Sequence, residues 1–183
     1  MTVKNVVAAA ARLVLSDAVA DKIAAGSTLT TDEQNDFNRL IRGFNLVMKE
    51  VAAEYLPLVV TQTFSGGNVS YSTFTHAPYK IRGAYDEKGD PVVYETFPTF
   101  IKLPEKSVSV AYEYIPEDCA ANDTFVYEGS FLENAFCYGV ASEFCMASGR
   151  YDEAQNWDVK FRRAARPPLR KKPKRIKCRT WGL

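Results

Sequence analysis

Few side chains in this 183-residue chain could do covalent chemistry, and they are scattered. There is one histidine, His76, in Thr75-His76-Ala77, and four cysteines, Cys119, Cys137, Cys145 and Cys178. A cysteine or serine nucleophile would have to converge on His76 from far along the chain, because a thiol or hydroxyl attacks at neutral pH only when a base or positive field activates it. A zinc site needs three or four clustered soft ligands, and one histidine with dispersed cysteines forms no such motif. No CxxC pair occurs, and Cys137 and Cys145 are separated by roughly 12 Å of helical rise, too far for a disulfide. The expectation is buried small hydrophobes in a reducing compartment, with His76 an ordinary surface or edge residue.

Two acid pairs and one glycine pair complete the chemical inventory. Asp152-Glu153 falls in the first turn of an expected helix, where the helix dipole already accounts for negative charge. Glu117-Asp118 follows a strand, in a loop. Ser65-Gly66-Gly67-Asn68 precedes a strand and does not open a helix, so a hairpin turn is expected there and not a phosphate cradle. Neither a metal nor a cofactor is implied, and no catalytic residue is assigned.

The specific signal is electrostatic. The chain has 23 Lys and Arg against 22 Asp and Glu, a formal net charge of +1. Residues 1–159 hold 12 Lys/Arg and every acid, a balance of −10, while residues 160–183 hold 11 Lys/Arg and no acid. Such asymmetry along a chain marks a segment made for a partner. Arg166, Arg170, Lys171, Lys172, Lys174, Arg175, Lys177 and Arg179, with Trp181 as aromatic anchor, are the candidate partner-binding residues. They suit an acidic or grooved protein surface, with the cations steering. They also suit a polyanion, through phosphate neutralisation and counterion release, although an acidic body would repel the same polyanion. A third possibility is attraction between the basic end of one copy and the body of the next.

The elements that must position these residues follow from periodicity. Helices are expected at about 3–14, 17–24, 32–55, 129–148 and 150–165. Thr2 and Ser16 are placed as caps, Gly26 as a stop, and Thr31 with Gln34 as a capping box. The third helix carries the clearest apolar stripe, Phe37, Leu40, Ile41, Phe44, Val47, Met48, Val51 and Tyr55, and Pro57 closes it. In the fourth, Gly139, Ala141, Ser142 and Ala147 are small enough to admit a neighbouring helix. Between residues 58 and 115 the pattern changes to short β-branched and aromatic runs: Leu58–Phe64, Val69–Phe74, Tyr79–Ala84, Pro91–Glu95, Thr99–Leu103 and Ser107–Ile115. The expected fold is α+β: a helical bundle (body 1–165) with an inserted antiparallel β-meander or hairpin region. An extended basic C-terminal tail, 166–183, follows, since Pro167-Pro168 ends helical structure. Hydrophobic content of 46% supports a core, and no apolar run reaches the ~18 residues of a membrane span, so a soluble chain is expected. Val6–Ala11 is cut by Arg12 and lacks a cleavage site, which argues against a secretory signal.

In order, three stretches resemble the head–tail adaptor (connector, head-completion) proteins of tailed bacteriophages and prophages. Residues 37–58, ending in Glu54-Tyr55-Leu56-Pro57-Leu58, are similar to the family's long helix and its exit. Residues 79–116 resemble its β insertion, with Tyr79-Lys80-Ile81, Phe97-Pro98-Thr99-Phe100-Ile101 and Val110-Ala111-Tyr112-Glu113-Tyr114-Ile115-Pro116. Residues 138–161 resemble its helix pair, with Gly149-Arg150-Tyr151-Asp152-Glu153-Ala154 and Trp157-Asp158-Val159-Lys160-Phe161, and the closing Arg179-Thr180-Trp181 fits as well. The resemblance implies a non-enzymatic virion protein that forms a closed ring of about twelve copies. It implies a place in the neck of the virion, reached after assembly in the host cytoplasm, between the portal protein and a downstream neck or tail protein. It further implies that the C-terminal segment docks into the portal, and that genomic DNA passes through the lumen without sequence-specific binding or any membrane contact. A nucleic-acid-binding protein with a basic arm is the alternative.

Overall fold

A computed structural model describes residues 2–127 and 130–166. The candidate residues Arg170, Lys171, Lys172, Lys174, Arg175, Lys177, Arg179 and Trp181, together with Pro167-Pro168, Cys178 and the expected helix start at 129, lie outside the described residues. Among the described residues the protein is α+β. Helices α1 (Val3–Val14), α2 (Asp17–Ala25) and α3 (Thr31–Glu50) precede strands β1 (Leu58–Phe64), β2 (Gly67–Ser70), β3 (Pro78–Tyr85), β4 (Glu95–Thr96), β5 (Phe100–Leu103) and β6 (Val108–Tyr114). Helices α4 (Ser130–Ala147) and α5 (Tyr151–Ala165) follow.

The helix termini show which side chains win the competition for orphan backbone groups. Ser16 Oγ accepts the Val19 N–H, and Gly26, at φ 68°, ends α2 in the left-handed region that glycine tolerates. Thr2 precedes α1 but its side chain caps nothing; the Val3 and Lys4 N–H groups instead donate to the Asp123 and Ala121 carbonyls, at 3.0 and 2.8 Å. The capping box of α3 is Thr30 with Glu33, one residue before the expected Thr31 with Gln34. Glu33 wins because its carboxylate takes both the Thr30 N–H and the Lys22 ammonium, at 2.8 and 2.7 Å, which a neutral amide cannot match. The long helix expected to reach Tyr55 changes character at Val51: Val51–Tyr55 is a π-helical turn, closed by Leu56 N–H on the Val51 carbonyl at 2.8 Å.

The β region corrects four expectations. It is not a meander: the sheet orders are β1-β6-β3 and β2-β5-β4, all antiparallel, and of the paired strands only β4 and β5 are consecutive in the chain. Ser65–Asn68 is accordingly a corner between two sheets and not a hairpin turn. Gly66 (φ 89°) and Gly67 (φ 75°) make it, and a Cβ on Gly66 would collide with the Pro104 carbonyl. The expected strand 69–74 stops at Ser70, because Ser70 Oγ accepts the Ser72 N–H and Thr73 Oγ1 donates to the Ser70 carbonyl at 2.7 Å, turning the chain into a 3-10 helix. The expected strand 91–95 shrinks to β4, with Pro91 reduced to a single bridge to Tyr85.

Two apolar clusters result. One joins α1–α5 around Phe44, Phe136, Val47, Val140 and Phe161, and reaches Leu58 and Ile115. The other lies among the strands, around Ile101, Val108, Val110 and Tyr112. Within α4, from Leu132 to Cys145, only Glu133, Asn134, Tyr138 and Glu143 escape full burial. The small residues of α4 let α3 and α5 close on it: a Cβ on Gly139 would sit 2.7 Å from Val47 Cγ1 and 3.1 Å from Phe161 Cδ2, and Ser142 Oγ donates to the Ala154 carbonyl at 2.9 Å. Gly139→Val should therefore cost about 2–3 kcal/mol of unfolding free energy by overpacking, measured by urea denaturation. Gly139→Ala should cost less, because the alanine recovers part of the loss in helix propensity.

Candidate functional site

The residues that could have done chemistry are engaged elsewhere. His76 stacks on Tyr114, ring centroids 4.1 Å apart and nearly parallel, and its backbone N–H donates to Tyr112 Oη at 3.4 Å. Cys137 is buried in the helical core and donates to the Val6 carbonyl at 3.8 Å. Cys145 donates to Glu153 at 3.7 Å, and Cys119 lies 4.0 Å from Met48 Sδ. Burial pushes the Cys137 thiol up to about 12, and burial likewise raises Cys145 and Cys119, so the thiolate form that attacks or binds metal is disfavoured at all three. Among the described residues His76 touches none of these thiols, and no three or more of His, Cys, Asp and Glu are arranged to hold a metal ion.

The acid pairs are divided in the same way. Asp152 and Glu153 occupy the first turn of α5, and Glu153 accepts from Arg150 at 3.1 Å. Asp118 pairs with Lys49 at 2.7 Å. Arg150 also donates to the Val14 carbonyl at 3.2 Å, tying the end of α1 to the α4–α5 turn.

Several residues that sequence pattern did not single out hold the framework. Asn45, within the apolar stripe of α3, accepts the Cys119 N–H at 2.9 Å and donates to the Cys119 carbonyl at 3.1 Å, clamping the loop after β6. Gln62 accepts from Thr75 N–H at 2.8 Å and donates to the Thr73 carbonyl at 3.1 Å, pinning the 73–75 segment onto β1. Glu113, buried on the central strand β6, accepts from Arg82 Nε at 2.6 Å. For Asn45 and Gln62 the available signal was a lone polar side chain in an apolar stripe; Glu113 lies on the face of β6 opposite Val110 and Tyr112, and alternation carried no signal for it.

The described surface that remains chemically distinctive lies on α3, α4 and α5. Trp157 stacks on Tyr138, and Lys160 Nζ sits 4.0 Å above the Trp157 ring, a cation–π contact beside a groove of about 560 Å³ that Leu13, Asn156 and Val159 also line. Toward the end of α5, Glu50, Glu54, Glu143 and Asp158 share one neighbourhood, with Arg162 paired to Asp158 at 2.9 Å. Beyond them stands Arg166, exposed, in extended backbone (φ −69°, ψ 120°), the single candidate docking residue within the described residues. The arrangement binds and repels charge; it brings together no nucleophile and base.

The chain matches no protein-family model, and no curated protein is significantly similar to it.

Glu50 and Glu143 carry a testable consequence. Burial first, then the neighbouring carboxylates, Glu54 for Glu50 and Asp158 for Glu143, raise both above the usual carboxylate range. A raised folded-state value means that protonation favours the native state. The stabilisation is complete below the unfolded carboxylate range and is lost as pH rises through the raised folded values. Glu143→Gln should therefore raise the melting temperature at about pH 7, with the gain shrinking toward zero near pH 4, followed by thermal denaturation across pH.

Proposed function

We propose that this chain is a structural, non-enzymatic protein of the neck of a tailed-phage virion. It is a head–tail connector or adaptor that assembles as a ring of about twelve copies, docks to the portal protein through residues 166–183 and links it to a downstream neck or tail protein. The observation that carries the reading is the joint order of its parts. A long helix leaves through Glu54-Tyr55-Leu56-Pro57-Leu58, a β insertion follows, then a close-packed helix pair, then a terminus whose last 24 residues hold 11 Lys/Arg and no acid. In the finer form of this reading the helices are a bundle forming the ring wall, the β region is an insertion, and the basic end is an extended tail. The acidic balance of residues 1–159 suits a wall that genomic DNA must pass without sticking. The engagement of His76 and the buried thiols in packing supports a role in assembly over one in catalysis.

The test is binding to purified portal, followed by native mass spectrometry and electron microscopy. Full-length protein should decorate the portal as a ring, and deletion of 166–183 should abolish capture. Equal capture of residues 1–165 would remove the docking role of the segment. The eleven clustered cations also favour a second reading, a nucleic-acid-binding protein with a basic arm. That reading requires DNA or RNA affinity whose logarithm falls linearly with the logarithm of salt concentration, lost on the same deletion. No mobility shift at low salt would dismiss it.

A further inference from the structure

The two edges of the sheet β1-β6-β3 are unlike one another. β3 is guarded: it starts at Pro78, carries Lys80 and Arg82, has two register shifts against β6, and near its end Val92 N–H donates to the Ala84 carbonyl. β1 has none of these devices. Its seven residues, Leu58-Val59-Val60-Thr61-Gln62-Thr63-Phe64, pair with β6 in continuous register, and among the described residues its other edge makes no backbone hydrogen bond. Val59, Thr61 and Thr63 are exposed along one face of the strand.

Charge says what this edge can accept. Charged residues are 25% of the chain, yet none occurs in the 25 residues from Tyr55 to Tyr79. The rest of residues 1–159 holds 12 Lys/Arg and 22 acids, whereas two copies joined at β1 bring no charge together. The strand is also its own complement. Laid antiparallel across a two-fold axis at Thr61, it sets Leu58 against Phe64, Val59 against Thr63, Val60 against Gln62 and Thr61 against Thr61. These are apolar and β-branched cross-strand pairs, with no charge at any position. Such an interface is isologous and closes after two copies.

We propose that β1 is a homotypic interaction edge, through which two copies of this chain join antiparallel into a six-stranded sheet centred on Thr61. The contact is one strand wide, smaller than the ~800 Å² per partner of a standard interface, so the pairing is weak and concentration-dependent. It stands apart from portal docking, which rests on residues 166–183.

Sedimentation equilibrium of the full chain from about 10 μM to 1 mM should show the mass rising from 20.5 kDa toward twice that value. Thr61→Lys sets two ammonium groups directly opposite and should weaken association about tenfold or more. Thr61→Glu should do the same, and an equimolar mixture of the two variants should restore association to near the wild-type level. Val93→Lys, at an exposed position off β1, should leave association unchanged. A single-chain mass across the whole range overturns the proposal. So does a Thr61→Lys protein that associates like the wild type, or a mixture of the two charge variants that fails to recover. Because Thr61→Lys leaves residues 166–183 intact, its portal capture separates failure of this proposal from failure of the neck reading.

Discussion

The structure depends on covering α4. Its residues from Leu132 to Cys145 are apolar or small on nearly every side, so no single neighbour can satisfy it, and α1, α3 and α5 all pack against it. Close approach is possible because the contacts fall on residues with little or no side chain. Gly139 admits Val47 and Phe161, Gly43 admits Glu143 Cβ, and Ser142 is short enough to reach the Ala154 carbonyl. Each added methylene there would force neighbours apart, since interiors packed to crystal density have no slack. The position of α5 follows from this packing, and with it the point at which the chain leaves the body beyond Arg166.

The same closeness has an electrostatic cost. Bringing α3, α4 and α5 together collects Glu50, Glu54, Glu143 and Asp158 in a partly desolvated neighbourhood where Arg162 offsets only part of the charge. Elsewhere the fold handles buried charge differently: Glu113 on β6 has Arg82 at 2.6 Å on the adjacent strand. Glu113 is held by a charged partner on a neighbouring strand, whereas burial and neighbouring carboxylates raise Glu50 and Glu143 above the usual carboxylate range. On the adaptor reading, cationic residues of the same chain begin at this end of the body.

The helices were legible in the sequence because their signal is local. A stripe recurring every 3.6 residues, a serine cap and a left-handed glycine stop suffice for α1 to α3, and the small residues of α4 announced a close neighbour. The β region was legible as strands but not as a topology. The order β1-β6-β3 joins segments far apart in the chain, Leu58 and Pro78 both pairing with Tyr114, and alternation within a strand carries no information about its partner. Local competition also escaped the pattern: Glu33 outbid Gln34 for the cap, Ser70 and Thr73 turned a strand into a 3-10 helix, and a π-turn closed α3. Of the candidate partner-binding residues only Arg166 falls within the described residues, so the charge partition remains a property of the sequence.

Polar side chains in this fold are spent on the framework. His76 stacks, Gln62 and Asn45 clamp loops, Arg150 ties α1 to the α4–α5 turn, and Cys119, Cys137 and Cys145 fill space. A protein that commits its reactive groups in this way keeps two kinds of surface available for recognition, charge and unpaired backbone. Residues 1–159 concentrate negative charge, the last 24 residues concentrate positive charge, and Tyr55–Tyr79 carries neither. Charge gives long-range steering that salt weakens, whereas an uncharged strand edge gives short-range pairing that salt barely touches. Charge steering and pairing at an uncharged strand edge therefore respond differently to salt within one small chain.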